Sequence, residues 1–290
     1  MNENQGKIIQ WYPGHMAKTK KEIINILSMV DVVIEVIDSR VPYSSRIPDL
    51  KKYIRNKRNI VVFNKYDLCD EKETSKWIKK YTDEGSICIT CNAKNSGDYK
   101  KIINEVKNLM IDVNNKRKEK GLLPKKAKCL VIGVPNVGKS TIINKIVGKS
   151  IAGVGNKPGI TKNLSTIKIN DYMDLVDTPG ILWPKFEDQK VALNLSSMTI
   201  IKEEILNIED IAIHILKMLD KYYNNVLIEE FGIDHYDNDE VEELFEKISK
   251  KKNIPIKGEV DYEKVSYNII NSIKQEKIKN ITFDRLWQIK

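Results

Sequence analysis

The sequence predicts an α/β fold, with a mostly parallel sheet in residues 1–183 and a smaller, all-helical domain in residues 184–290. Three observations support this prediction. Short β-type runs alternate with helical patterns through the first part of the chain. Polar or glycine-containing turns follow several of these runs, as at the ends of parallel strands. Beyond Pro184 the helical patterns continue, while few β-type runs remain.

The elements follow in chain order. The β-type runs are 31–37, 60–63, 87–90, 129–132, 163–169 and 172–176. The helical patterns of the first domain cover 50–57, 74–81, 97–117 and the segment after residue 139, and those of the second domain cover 191–201, 208–223, 241–251 and 262–275. Such strands can form one mostly parallel sheet, with ligand-binding loops at their carboxyl ends.

The charge of the chain is divided unevenly. The 290 residues carry a formal net charge of +9, with +14 in residues 1–184 and −5 in residues 185–290. A basic excess of this kind suits a polyanion, and RNA is the obvious one. The alternative is an ordinary solvated surface in a lysine-rich protein.

Other compositional features exclude some classes of protein. No stretch approaches the roughly 18 apolar residues of a membrane span, and the first ten residues lack a signal-peptide pattern, so we expect a cytoplasmic protein with no membrane partner. The four cysteines should be reduced. Cys88 and Cys91 have C-x-x-C spacing, but zinc is disfavoured because structural zinc usually has four protein ligands.

The segment 128–141, KCLVIGVPNVGKST, has the spacing of a phosphate-binding loop, with Gly133 and Gly138 bracketing four residues before Lys139 and Ser140. Glycine lets backbone N–H groups approach an anion, and the following helix directs its positive end at the same phosphates. The lysine can reach the β- and γ-phosphates, and the serine hydroxyl can ligate Mg²⁺. The expected nucleotide contacts from this loop are Asn136, Val137, Gly138, Lys139, Ser140 and Thr141.

The sequence Asn64-Lys65-Tyr66-Asp67 indicates which base is bound. The Asp67 carboxylate can accept from both N1–H and the exocyclic amine of guanine, a pair of donors that adenine does not offer. We therefore expect Asn64, Lys65 and Asp67 to bind the guanine of GTP or GDP, and an ATPase is disfavoured.

A third motif, Asp177-Thr-Pro-Gly180, follows the last predicted strand. Its aspartate can supply the second carboxylate for Mg²⁺, and its glycine N–H can bind the γ-phosphate. Thr161 lies between this motif and the phosphate loop, where a switch threonine that ligates Mg²⁺ is expected. The predicted magnesium ligands are therefore Ser140, Thr161 and Asp177.

These motifs occur in an unusual order, because the base-reading motif precedes the phosphate loop. The order resembles that of the circularly permuted GTPases. The opening segment 11–18, WYPGHMAK, narrows the resemblance to the bacterial ribosome-assembly GTPases of the YlqF/RbgA family. The resemblance covers about residues 10–183 with specific motifs and the remainder more loosely; Tyr12 stands where phenylalanine is expected.

The resemblance implies further site residues. Asn92, Ala93 and Lys94 resemble the last nucleotide loop of the family, where the alanine N–H meets guanine O6. An asparagine at the position of Asn136 ligates K⁺ in related GTPases, which makes K⁺ a candidate cofactor beside Mg²⁺; the alternative is an asparagine that only stabilises the loop.

The glutamine that usually orients the attacking water is missing from its expected position. Ile181 and Leu182 follow Gly180, where ordinary GTPases place a glutamine that orients water, so the chain should be a slow GTPase alone. The resemblance makes His15 the catalytic candidate, acting with Lys139 on the ribosome. Alternatively, His15 caps a helix or binds RNA.

The expected function is GTP binding and hydrolysis during late assembly of the large (50S) ribosomal subunit, with rRNA and precursor particles as partners, stimulation by the ribosome and a monomeric state. One alternative is a nucleotide-gated RNA-binding module with incidental hydrolysis. Another is a different permuted ribosome-associated GTPase; the small-subunit members carry a β-barrel or a zinc module, and neither fits before Trp11 or after Pro184.

Overall fold

The computed structural model describes residues 26–48, 50–54, 57–92, 94–95, 97–148, 166–176, 188–201, 206–256 and 258–288. Its centre is a six-stranded sheet with the strand order β3-β2-β1-β4-β6-β5. The strands are β1 (Val32–Asp38), β2 (Arg58–Asn64), β3 (Ile87–Thr90), β4 (Ala127–Ile132), β5 (Thr166–Lys168) and β6 (Met173–Val176). All neighbours pair in parallel except β5, which pairs antiparallel with β6. The predicted α/β fold with a mostly parallel sheet is confirmed.

Helices pack against the sheet and form most of the second half. In the first half they are α1 (Leu50–Ile54), α2 (Glu71–Asp83), α3 (Asp98–Leu109), α4 (Ile111–Glu119) and α5 (Lys139–Val147). In the second half they are α6 (Gln189–Ser197), α7 (Ile208–Tyr222), α8 (Asn224–Phe231), α9 (Val241–Lys251) and α10 (Tyr262–Lys274). Short 3₁₀ turns cover Tyr66–Leu68 and Leu286–Gln288. No helix in the described ranges is long and apolar enough to cross a membrane.

The buried strands cover both faces of the sheet with apolar side chains. Every residue of β1 is buried, which is typical of a parallel strand with helices on both sides. Alternate residues go to opposite faces: Val32 and Ile34 join the core under α3 and α5, while Val33 packs with residues of α1. The sheet is therefore a rigid base for the loops that follow its strands.

Two elements differ from the sequence-based prediction, and a third is described only in part. The long helix expected over 97–117 is two helices separated at Met110, because α3 buries Ile102 and Val106 while α4 buries no side chain at all. A helix at Asn224–Phe231 was missed; it begins after α7 ends at Tyr222 and buries two residues four apart. The strand expected over 163–169 is described only at Thr166–Lys168.

The last described residues return to the first half of the chain. The Phe283 N–H donates to the Arg40 carbonyl at 2.8 Å. Asp284 is 4% exposed, and its carboxylate accepts from the backbone N–H groups of Tyr43 and Ser44 at 2.8 and 2.7 Å. It also accepts from the Ser44 hydroxyl and from the Asn194 amide, at 2.7 and 2.8 Å. One buried carboxylate thus joins the loop after β1, helix α6 and the C-terminal segment.

Replacing Asp284 by alanine should lower the free energy of unfolding by about 3 kcal/mol, because it leaves buried donors without an acceptor. Urea denaturation followed by circular dichroism measures this loss. The control is Asp83→Ala at the exposed end of α2, which should change the value by less than about 0.5 kcal/mol. Equal effects of the two substitutions would contradict the role given to Asp284.

Candidate nucleotide-binding site

The site lies at the end of the sheet formed by the carboxyl ends of its parallel strands. Asp38 and Asn64, the last residues of β1 and β2, are register partners. The segments after β3 and β4 begin at the same edge because these strands run parallel to their neighbours. The base-reading motif, the segment from Asn92 and the phosphate loop from Gly133 are therefore brought together, although 68 residues lie between Asn64 and Gly133 along the chain.

A direct hydrogen bond joins the base-reading motif to the phosphate loop. The Asn64 side chain is buried, and its amide Nδ2 donates to the Val137 carbonyl at 2.7 Å. Val137 is fully buried as well. This bond fixes the start of the base-reading segment against the end of the phosphate loop.

Two glycines are required by this close approach. Gly138 has a φ of +99°, and a Cβ at this position would lie 2.2 Å from Nδ2 of Asn64. Gly133 has a φ of +154°, and a Cβ there would lie 2.3 Å from the Val36 carbonyl oxygen. Any side chain would push the loop away from the strand or from the asparagine. The glycine spacing recognised in the sequence thus has a steric cause in the structure.

The phosphate loop opens into α5, whose first residue is Lys139. The Lys139 ammonium donates to the Val134 carbonyl at 2.6 Å, so its side chain folds back over the loop. Burial lowers the pKa of Lys139 to about 8. Ser140 and Thr141 follow with exposed side chains in the first turn. A lysine over a loop at a helix N-terminus is an arrangement that binds the phosphates of a nucleotide.

Lys65 is held by a buried ion-pair cluster. Its ammonium lies 2.8 Å from Oδ2 of Asp38, and Arg40 makes two side-chain hydrogen bonds to the same carboxylate, at 2.9 and 2.8 Å. Burial acts to raise the pKa of Asp38, but the charges of Arg40 and Lys65 outweigh it and hold that pKa well below its usual value. Lys65 has a φ of +56°, and the turn that it starts leaves Asp67 exposed at the edge of the site.

The segment after β3 is held by its own polar contacts. The Asn92 side-chain oxygen accepts from the Lys94 N–H at 2.9 Å, and the Asn92 N–H donates to Asp98 at 2.9 Å. The Lys94 ammonium pairs with Glu276, just beyond α10, at 2.5 Å. The ammonium group of Lys94 is therefore paired with Glu276, a residue of the helical region.

Asn136 makes a second contact with the helical half. It has a φ of +54°, and its side-chain amide donates to the carbonyls of Thr199 and Ile200 at 3.3 and 3.2 Å. The phosphate loop is thus bonded to the segment that follows α6. This contact involves the amide nitrogen, so the side-chain oxygen is the atom that could ligate a cation.

Several predicted residues lie outside the described ranges, and their roles stay predictions. They are His15, Ala93, Thr161, Asp177 and Gly180. Of the three predicted Mg²⁺ ligands, Ser140 lies in the described part of the chain, at the start of α5. Its hydroxyl is a hard oxygen of the kind that this ion prefers. This donor fits the ion, and Thr161 and Asp177 would complete the predicted protein ligands.

The sequence prediction missed the groups that support the site. No role was predicted for Asp38 and Arg40, which follow the β-type run 31–37, and Glu276, Thr199 and Ile200 were not associated with the nucleotide loops. A charged Asp-Ser-Arg directly after an apolar strand was the available signal for the first two. Nothing local marks the other three, because they contact the site only through the tertiary fold.

Comparison with known proteins supports this geometry. A family profile described as "50S ribosome-binding GTPase" matches residues 128–257. Ribosome biogenesis GTPase A of Bacillus cereus is 40% identical over 278 residues, which cover 96% of this chain and 94% of that protein. Two solved YlqF structures share the fold. A GDP-bound one is 24% identical with a TM-score of 0.65, covering 92% of this chain and 99% of that one. A GNP-bound one from T. maritima is 25% identical with a TM-score of 0.62, covering 92% and 98%.

The sheet, the joined loops and the family match define a circularly permuted P-loop GTPase, an enzyme that binds and hydrolyses GTP. Its matched family segment begins at Lys128, just before the phosphate loop, while the base-reading motif lies upstream in the chain. Within this class, the chain belongs to the ribosome biogenesis GTPase A family. The resemblance noted in the sequence is confirmed.

Replacing Gly138 by alanine should weaken GDP binding by at least about 100-fold, because the new Cβ would separate Asn64 from Val137 and strain a left-handed residue. Isothermal titration calorimetry with GDP measures the change. Gly85→Ala is the matched control, since its φ is also positive at +86° but nothing lies within 4 Å of the new atom. Wild-type affinity in the Gly138 variant would refute the steric argument.

Nucleotide affinity should fall as the pH rises through about 8, where free Lys139 loses its proton. A lysine held against phosphates keeps that proton, so affinity is full well below pH 8 and weakens above it, by at most about tenfold per pH unit. Calorimetry in buffers of different ionisation enthalpy should show increasing proton uptake on GDP binding between about pH 7 and 8.5. Lys139→Met should remove this uptake; pH-independent uptake in the wild type would argue against the lysine's role.

Proposed function

We propose that this chain is a GTP-dependent factor for late assembly of the large ribosomal subunit, binding rRNA in a precursor particle and leaving after hydrolysis. Membership of the ribosome biogenesis GTPase A family carries this proposal. Supporting it is the joined guanine-nucleotide site, in which Asn64 is bonded to the phosphate loop at Val137. We expect a cytoplasmic monomer whose GTPase domain is 1–183 and whose helical domain is 184–290.

The charge distribution agrees with an RNA-rich partner. Residues 1–184 carry +14, and the family profile that matches residues 128–257 is described as ribosome-binding. RNA phosphates attract such a surface over a distance set by the ionic strength, which accelerates association. The net charge of −5 in residues 185–290 implies that any RNA contact there uses a local basic face.

In the proposed site, each described residue has one task. Asp67 and Lys65 bind the guanine ring, and Asn64 holds their segment against the phosphate loop. Backbone N–H groups of 136–141 and the Lys139 ammonium bind the phosphates. Bound Mg²⁺, held by Ser140 with Thr161 and Asp177, would offset negative charge on the phosphate oxygens.

Hydrolysis requires an oriented water, and the chain lacks the usual glutamine for this purpose. The side chains of Ile181 and Leu182 cannot form a hydrogen bond with a water molecule. We infer that His15 acts instead when the protein is bound to the ribosome, which makes the isolated protein slow. In the competing proposal, His15 binds RNA and nucleotide only gates RNA affinity; the bonds of Lys94 and Asn136 to the helical half favour such gating.

Large ribosomal subunits should stimulate GTP hydrolysis by at least about tenfold, because His15 would act near the γ-phosphate on the particle. Small subunits are the control and should have little effect. Cosedimentation under a GTP analogue, GDP and no nucleotide should show retention on large subunits with the analogue and release with GDP. A rate unchanged by large subunits would favour the RNA-binding module, and no cosedimentation under any condition would refute both.

Hydrolysis should be faster in K⁺ than in Na⁺ at equal ionic strength, by at least about threefold, if the Asn136 oxygen ligates K⁺ near the β–γ bridge. Steady-state phosphate release measures both rates. Asn136→Ala should lose the difference between the cations. Identical wild-type rates in the two salts would remove K⁺ from the mechanism.

A further inference from the structure

Helix α4 and the segment that returns from it form an exposed basic element, residues 111–126, called here the basic arm. α4 buries no side chain, and residues 118–126 are all exposed. Residues 116–128 contain seven Lys or Arg and one acidic residue. An isolated helix of this length and polarity is marginal in water, so its order in the fold calls for a physical cause.

The basic arm is ordered by backbone and amide hydrogen bonds. Gly121, with a φ of +65°, ends α4: its N–H donates to the Lys118 carbonyl, and the Leu122 N–H donates to the Arg117 carbonyl, each at 2.9 Å. These two hydrogen bonds form the pattern of a Schellman C-cap. Arg117 Nε also donates to the Leu123 carbonyl at 2.8 Å. The turn therefore has a defined shape.

Asn114 holds the returning segment alongside the helix. Its side-chain oxygen accepts from the Lys125 N–H at 2.8 Å, and its amide donates to the Lys125 carbonyl at 3.3 Å. Lys125 is further tied to Asp31 at 2.6 Å, just before β1. The basic arm is thus anchored at both ends, by these bonds and by Val113, which is partly buried against the main core.

The charges at the tip of the basic arm are available to a partner. Lys116, Lys118 and Lys120 are exposed, and within the described part of the chain none of them forms an ion pair. The carboxylates on the arm are Asp112 and Glu119. By contrast, Lys125 and Lys126 at its base face Asp31 and Asp171.

The basic arm lies at the end of the sheet where the parallel strands begin, opposite the nucleotide. It enters β4 at Ala127, and the phosphate loop leaves β4 after Ile132. Six strand residues separate the two by about 20 Å. A large anion could therefore contact the arm while GTP binds and is hydrolysed at the other edge.

We propose that the basic arm binds folded RNA through its backbone phosphates, with Lys116, Lys118 and Lys120 as the principal contacts. The proposal rests on the proposed function, in which the partner particle is rich in RNA. A membrane surface fits less well, because the exposed apolar side chains of the arm form no stripe along α4: Ile111 lies at its start, and Leu122 and Leu123 lie in the turn after it. Lys116 and Lys120 share one face of the helix and Lys118 lies on the opposite face. A backbone that is already ordered loses less conformational freedom on binding phosphates than a disordered tail does.

The test compares Lys116→Ala/Lys118→Ala/Lys120→Ala with the wild-type protein in binding to rRNA extracted from large ribosomal subunits. Fluorescence anisotropy at several salt concentrations measures affinity and its salt dependence. The triple variant should bind at least about tenfold more weakly, and its slope of log affinity against log salt should be shallower by about one per lost phosphate contact. Its basal GTPase rate should stay unchanged, because the arm lies at the opposite edge from the nucleotide.

The matched control is Lys72→Ala/Lys76→Ala/Lys79→Ala, which removes the same charge from exposed positions of α2. It should bind rRNA nearly as the wild type does. Equal losses in both variants, or wild-type affinity in the basic-arm variant, would overturn the proposal, as would loss of binding to phosphatidylglycerol vesicles with rRNA binding intact. Wild-type protein that binds neither rRNA nor large subunits would instead refute the proposed function.

Discussion

The nucleotide site depends on one hydrogen bond, from the Asn64 amide to the Val137 carbonyl. It is buried, and it joins the segment that reads the base to the loop that binds the phosphates. The contact is possible only because Gly138 has no side chain, since a Cβ would lie 2.2 Å from the amide nitrogen. The requirement for a glycine at this position and the shape of the site therefore have the same cause.

Circular permutation changes the order of the chain and leaves these contacts in place. Parallel pairing of β1 with both β2 and β4 puts the two motifs at one edge, whichever comes first in sequence. The rearrangement has consequences elsewhere. The chain must pass from α3 to the start of β4 at the opposite edge, which is the route taken by the basic arm. In addition, the helical half contacts both nucleotide loops, through Glu276 at Lys94 and through the Ile200 carbonyl at Asn136.

Much of the fold could be predicted from the sequence, because the β-type runs and the glycine spacing are local patterns. The strands at 32–38, 58–64 and 127–132 lie where their apolar runs predicted. The break at Met110 and helix α8 were missed, since both depend on which side chains the tertiary core buries. The ion pairs of Asp38 and the contact of Glu276 were likewise beyond prediction, because residues far apart in sequence make them. His15, Thr161 and Asp177 remain predictions from the sequence.

The most direct test of the central claim is a calorimetric titration of the wild type and of Asp67→Asn with GDP and with XDP. If segments 64–67 and 136–141 hold opposite ends of one nucleotide, the wild type binds one GDP. The variant should then lose at least about tenfold in GDP affinity and gain affinity for XDP, because the asparagine amide can donate to the extra carbonyl oxygen of xanthine. GDP affinity unchanged by the substitution, or two independent binding sites, would contradict the account.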